Sequence, residues 1–321
     1  MRAQTDLLSG SLPFHTVRNQ VDTDEPDDLF GEARSDLKAG YCYVTEREVP
    51  GLSAIADAIP AYLVEELLNV DKVVLAAPEA VLDDLVETAD ETAPVLYTHG
   101  YHIGFEKGCR RALMLQEAAN LTERFLWFSW PSDGSLASYT FDEADLYWSV
   151  PDLADAIISL EDRFGGGVVD VVGHSLGGRG TVLALFDIAT RRPDIRLDEV
   201  VLIAPDMDFE IFLRIYPRIA GVAESFTVYM SDKDRPLQLS AQLHGYSRLG
   251  EAGNAVEALP GIEFINVSNL PPPTPTGHLY HIYDDTVGED LNALLNGGLR
   301  AAARLNLEQT GPNTWSFVSQ Q

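Results

Sequence analysis

Gly165-Gly166-Gly167-Val168-Val169-Asp170-Val171-Val172-Gly173-His174-Ser175-Leu176-Gly177-Gly178-Arg179-Gly180 decides the reading of this chain. A glycine break followed by a β-branched run predicts a buried strand. The segment beyond it, with Val182, Leu185, Phe186 and Ala189 at helical spacing, predicts an amphipathic helix. Between the two lies Gly173-x-Ser175-x-Gly177. A serine at the tip of a strand-to-helix turn this tight occupies strained backbone, and only small residues two positions to either side let strand and helix approach. The hydroxyl then stands clear of the sheet, with the free amides and positive potential of a helix N-terminus behind it. That is the setting of an activated nucleophile.

The stretch Ala93-Pro94-Val95-Leu96-Tyr97-Thr98-His99-Gly100-Tyr101-His102 predicts a second buried strand, ending in His-Gly and followed by a helix through Phe105, Cys109, Ala112, Leu115 and Ala119. A glycine there lets the chain turn beneath a substrate carbonyl, so that a backbone N–H donates to an oxyanion. The donors assigned are the amides of Tyr101 and Leu176. His99 and His102 precede the serine in the chain and are in the wrong order to serve as its base, so His99 is expected to brace the loop.

Further strands are predicted at Arg124–Phe128, Glu199–Ala204, Ser225–Met230 and, as the last of the series, Ile262–Val267. Strands alternating with helices at this spacing imply a parallel sheet covered on both faces. Leu12–Arg18 and Gly40–Glu46 read as an antiparallel pair at its edge, Ser53–Asn69 as a helix that Pro60 could split, Lys72–Ala76 as a short apolar run, and Pro78–Asp90 as an acidic surface helix. Residues 1–300 are expected to form one α/β domain, and 301–321 a loose tail. Ligands of such sheets bind outside the carboxyl ends of the strands, which makes His99, Trp130, His174 and the aromatic segment Tyr139–Trp148 candidates for the pocket wall, with core packing as the competing role.

Ser175 needs a base, and the base needs a carboxylate to fix its tautomer. With the serine on such a turn, the acid and then the histidine follow it in the chain. Downstream lie His244, His278 and His281; His278 follows the last predicted strand on the proline-rich loop Pro271–Gly277, and His281 stands about one turn on. For the acid, Asp234 before Arg235-Pro236 is favoured, although it is equally suited to cap a helix. Asp232, Asp206 and Asp208 remain alternatives.

The 321 residues carry 50 acidic against 22 basic side chains, a formal net charge of −28. Such a surface repels phosphate backbones and anionic lipid heads, so neither nucleic acid nor membrane is an expected partner. It is also what a protein of a salty habitat carries. The N-terminus shows no signal-peptide pattern, and no apolar run reaches membrane-spanning length. Cys42 and Cys109 lack the spacing of a metal site or redox pair and are expected as buried free thiols, which fits a reducing cytoplasm. No metal or cofactor is implied.

Phe30–Ser35, His99-Gly100-Tyr101, Phe128–Pro131, Gly173–Gly177, Ala204–Asp208, Asp234-Arg235, Leu243–Tyr246 and Gly277-His278 together resemble the bacterial α/β-hydrolases of unknown function that are esterase- or lipase-like. The likeness runs from about Leu12 to Ile282. It implies an α/β-hydrolase fold with Ser175, Asp234 and His278 as the triad by position, acting on a small-molecule ester. Many relatives carry a lipoprotein signal or membrane anchor, which is not evident here. An acyltransferase with the same triad and a non-catalytic binding protein on the same scaffold are the competing functions. Oligomeric state is not legible.

Overall fold

The computed structural model describes residues 10–23, 25–47, 61–89, 93–133 and 138–318. Eleven strands form one sheet in the order β10-β11-β9-β8-β7-β6-β4-β5-β1-β2-β3. They are β1 (Gly10–Gln20), β2 (Phe30–Glu46), β3 (Leu68–Ala76), β4 (Val95–Thr98), β5 (Phe125–Ser129), β6 (Asp170–His174), β7 (Leu197–Ile203), β8 (Ala223–Met230), β9 (Ile262–Asn266), β10 (Leu307–Gly311) and β11 (Thr314–Phe317). From β1 through β5, β4, β6, β7, β8 and β9 to β11 every neighbouring pair is parallel; β2 and β3 at one end and β10 at the other run antiparallel to their neighbours. The helices are α1 (Ala61–Val64), α2 (Pro78–Ala89), α3 (Phe105–Ala118), α4 (Tyr139–Phe164), α5 (Leu176–Arg191), α6 (Phe209–Ile219), α7 (Arg235–His244), α8 (Tyr280–Tyr283) and α9 (Asp285–Leu295).

The continuous apolar runs of the central strands follow from burial on both faces. Val171, Val200 and Leu202 point into a core with α2, α4, α5 and α6, while Val172, Val201 and Ile203 point into a second core with α3, α8 and α9. Each aliphatic side chain so buried contributes roughly 1.5–3 kcal/mol. This is the α/β-hydrolase fold, its parallel sheet interleaved with helices and extended by antiparallel strands near the N-terminus.

The sequence reading needs correction at four places. Of the tail read at 301–321, the described residues 301–318 do not lie loose: 307–317 form a hairpin whose second strand pairs in parallel with β9, burying Phe317 fully and Trp315 almost so. β9 is therefore not the last strand. Cys42 and Cys109 are joined in a disulfide between β2 and α3, not free; the bond removes the ground for expecting a reducing cytoplasm, since disulfides persist in oxidising compartments. Of the helix read at 53–69, residues 53–60 lie outside the described residues, α1 is a single turn, and the chain is already a strand at Leu68. β3 thus begins before the run read at Lys72, and it makes β1 and β2 part of a three-stranded extension. Among the described residues no helix is long and apolar enough to cross a membrane.

Candidate active site

The chain leaves β4 towards β5 on one side and, beyond β6, proceeds through β7, β8 and β9 on the other. The direction of winding reverses between β4 and β6, and at such a reversal the loops leaving the strand ends part to form a crevice. His99-Gly100-Tyr101 leaves β4 at that point and Ser175 leaves β6.

Ser175 has φ 55° and ψ −121°, a region that side-chain-bearing residues seldom occupy. Its N–H donates to Ile203 O at 2.9 Å and its carbonyl accepts from Asp206 N–H at 2.9 Å, so β7 and the turn after it hold the strained peptide from both sides. The two loops meet closely. A Cβ on Gly177 would lie 2.2 Å from His99 O, and one on Gly100 would lie 2.9 Å from Ser175 Cβ. Only glycine permits that approach. Leu176, the first residue of α5, has an N–H that no intrahelical carbonyl can reach, at the positive end of a 16-residue helix.

His278 arrives from the loop after β9. Gly277 takes φ +68°, and a Cβ there would lie 2.4 Å from Lys233 O, so the loop presses against the turn that follows β8. Arg235 N–H donates to Thr276 O at 3.0 Å and fixes the approach. His278 Nδ1 lies 2.6 Å from Asp234 Oδ2, and in the tautomer that donates there, Nε2 carries the lone pair. That Nε2 is buried and has no hydrogen-bond partner among the described residues. Asp234, fully buried, uses Oδ1 to accept Leu237 N–H at 3.0 Å. Capping and holding the histidine, read from the sequence as alternatives, are therefore performed by one carboxylate.

His174 couples the histidine to the turn bearing Ser175. Its Nε2 is 3.3 Å from His278 O and its ring centroid 4.6 Å from that of His278. His281 packs 4.2 Å from His174 on its other side. Burial pushes both His174 and His281 well below the ordinary imidazole value, so they remain neutral. His244 stands elsewhere, with Nε2 3.1 Å from Glu143.

The remaining acids are engaged differently. Asp232 is exposed. Asp208 caps α6 through Ile211 N–H. Asp206 is buried and accepts from Tyr139 OH at 2.5 Å and from Ser240 OH and Arg248 Nε at 2.7 Å each. Burial alone would raise its pKa, but Arg179 and then Arg248 hold it below the usual carboxylate range. Tyr139, so anchored, meets Tyr101 edge-on at 5.3 Å.

Of the pocket candidates, Trp130 is fully buried and stacks on His99 at 5.1 Å, donating Nε1–H to His99 O at 2.8 Å. Burial pushes His99 down to about 3. The pair braces the loop after β4 from beneath. Two groups bearing on that loop escaped the sequence reading. Asp142, in the first turn of α4, and Arg18, in β1, are both fully buried and bonded to the loops after β4 and β5. Their partners lie from nine to more than a hundred residues away, and no local pattern marks them. Among the described residues no group of three histidines, cysteines or carboxylates is placed to hold a metal ion.

Solved structures of similar shape include Est1E from Butyrivibrio proteoclasticus, at 10% identity and TM-score 0.40, covering 81% of this chain and 94% of that one. Carboxylesterase CesB from Bacillus subtilis matches at 14% identity and TM-score 0.36, over 81% and 89% of the two chains. The thermostable carboxylesterase EstE1, cloned from a metagenomic library, matches at 11% identity and TM-score 0.35, over 80% and 85%. No curated protein matches the sequence. A family model does match residues 70–294, the span that carries the turn at Ser175, the loop after β4, Asp234 and His278, and the chain therefore belongs to the alpha/beta hydrolases of unknown function designated DUF900.

Proposed function

We propose that the chain is a serine hydrolase that cleaves a small-molecule ester through an acyl-enzyme on Ser175. The observation that carries this reading is the 2.6 Å contact of His278 Nδ1 with buried Asp234, which leaves Nε2 without a partner among the described residues, on a ring 4.6 Å from that of His174, the residue before Ser175. In this mechanism Ser175 Oγ attacks the ester carbonyl carbon as its proton passes to His278 Nε2. Asp234 keeps the Nδ1 proton and stabilises the imidazolium. The amides of Leu176 and Tyr101 receive the oxyanion; one such donor is worth roughly a hundred- to a thousandfold in rate. His278 returns its proton to the departing alkoxide and the tetrahedral centre collapses to the acyl-enzyme; a water deprotonated by His278 then attacks the acyl carbon, and the acid leaves as His278 returns that proton to Ser175 Oγ. An alcohol in place of that water would make the protein an acyltransferase.

The test needs no knowledge of the natural ester. A fluorophosphonate probe is expected to modify Ser175, mapped by peptide mass spectrometry, and to leave His278→Ala and Ser175→Ala unlabelled. Folded wild-type protein that stays unlabelled at Ser175 overturns the reading.

A further inference from the structure

The loops that leave β4 and β5 are held together by hydrogen bonds that converge on two buried charges. Asp142 accepts His102 N–H at 3.0 Å and Ser132 OH at 2.6 Å on Oδ2, and Asp133 N–H at 2.7 Å on Oδ1. Ser132 Oγ in turn accepts Ile103 N–H at 3.1 Å. Arg18 donates to Ile103 O at 2.6 Å, to Ser132 O at 3.1 Å, to Ser129 Oγ at 2.9 Å and to Gly31 O at 3.3 Å. Both side chains are fully buried; no direct ion pair joins them, but both bond Ser132, and Asp142 is the charge that most supports Arg18 in its charged form.

Three consecutive peptide groups of the loop after β4 are thereby fixed, through the N–H of His102, the N–H of Ile103 and the carbonyl of Ile103. His102 takes φ 60°, a backbone state that a residue with a side chain keeps only when its surroundings impose it. The peptide just ahead carries the N–H of Tyr101, and Gly100, one residue earlier, lies against Ser175. A donor aimed at a developing oxyanion acts only if its direction is set before the reaction.

We infer that Asp142 is a positioning residue for the oxyanion donor of Tyr101, directing that amide by holding the next peptide of the loop, with Arg18 as the counter-brace. The inference rests on the acyl-enzyme reading above and deepens it. Asp142 touches no reacting atom. Its loss is therefore felt in the transition state and not in ground-state binding of the ester.

The test compares wild type, Asp142→Asn and Ser132→Ala on one ester and on a trifluoromethyl ketone that mimics the tetrahedral adduct. Asp142→Asn keeps the volume but presents an amide N–H₂ where a backbone N–H now donates. It is expected to lower kcat about 10- to 100-fold with KM within about twofold, and to weaken the ketone by the same factor as kcat/KM. Ser132→Ala, which removes only the bridge to Ile103, is expected to give a smaller loss with the same signature, and stands in should Asp142→Asn fail to fold. A folded variant with unchanged kcat, or one whose loss is in KM alone, overturns the inference while wild-type activity keeps the acyl-enzyme reading intact. Wild type that neither labels at Ser175 nor turns over ester overturns that reading first.

Discussion

Asp234 and Asp206 are both buried acids after strands of the same sheet, and their partners separate what each does. Asp234 divides its oxygens between Leu237 N–H and His278 Nδ1, and among the described residues no arginine or lysine pairs with it. Asparagine at 234 can keep the cap, because Asn is as good at that position as Asp. Facing the histidine, however, its carboxamide favours the wrong tautomer, a change that costs about 10⁴ in kcat where such triads operate. Asp234→Asn is therefore expected to melt close to wild type and to lose nearly all ester turnover. Asp206 instead neutralises Arg179 and Arg248, both almost fully buried. Asp206→Asn strands Arg248, while Arg179 keeps Glu143, and is expected to destabilise by about 3–5 kcal/mol. Urea unfolding beside steady-state kinetics checks both; an Asp206→Asn variant that is stable but inactive while Asp234→Asn keeps its rate would exchange their roles. The residue types of the site were legible in the sequence because each follows a strand with a local signature. The assignment of Asp206 was not, since its arginines come from α5 and from beyond α7.

At the scale of elements, the hairpin at 307–317 is tied in by features that local pattern does not carry. β11 is four residues long and reads as polar turn sequence around Trp315 and Phe317. Its strand identity comes from pairing with β9, about fifty residues earlier, which no window of sequence contains. Removing residues 307–321 uncovers β9 and the pocket filled by Phe317. Phe317→Ala alone is expected to cost about 3–5 kcal/mol, and the truncation more, read as a fall in urea midpoint. Unchanged midpoints would mean that the hairpin merely lies against the sheet. The same reasoning explains the cysteines. Cys42 and Cys109 are 67 residues apart, on a strand and a helix whose contact is created only by the fold. The bond is expected to contribute roughly 2–4 kcal/mol, checked by comparing Cys42→Ser with wild type under non-reducing conditions. By contrast β4, β6, β7 and α5 were legible from apolar runs and helical spacing, because burial on both faces writes itself into each segment.

For the whole molecule, charge decides how stability responds to pH and salt. With 50 acidic against 22 basic side chains, compaction brings like charges together, and that repulsion is relieved by screening. Asp170 adds a term of its own at the start of β6. Burial pushes its carboxyl up to about 8, Arg124 at 3.7 Å offsetting only part of the cost, whereas in the unfolded chain it titrates near the ordinary value of about 4. Between those two values the folded state binds the extra proton. Stability from this group is accordingly full below pH 4 and is lost as pH rises towards 8. The two effects have the same sign over that range and are separable by salt, because a buried carboxyl is screened far less than a surface one. The melting temperature is expected to rise as pH falls from 8 towards 5.5, and to rise with sodium chloride at pH 8. Asp170→Asn is expected to flatten the pH slope while leaving the salt response as it was. A slope unchanged in that variant would assign the pH dependence to surface repulsion alone, and a melting temperature indifferent to salt would leave Asp170 as its main source.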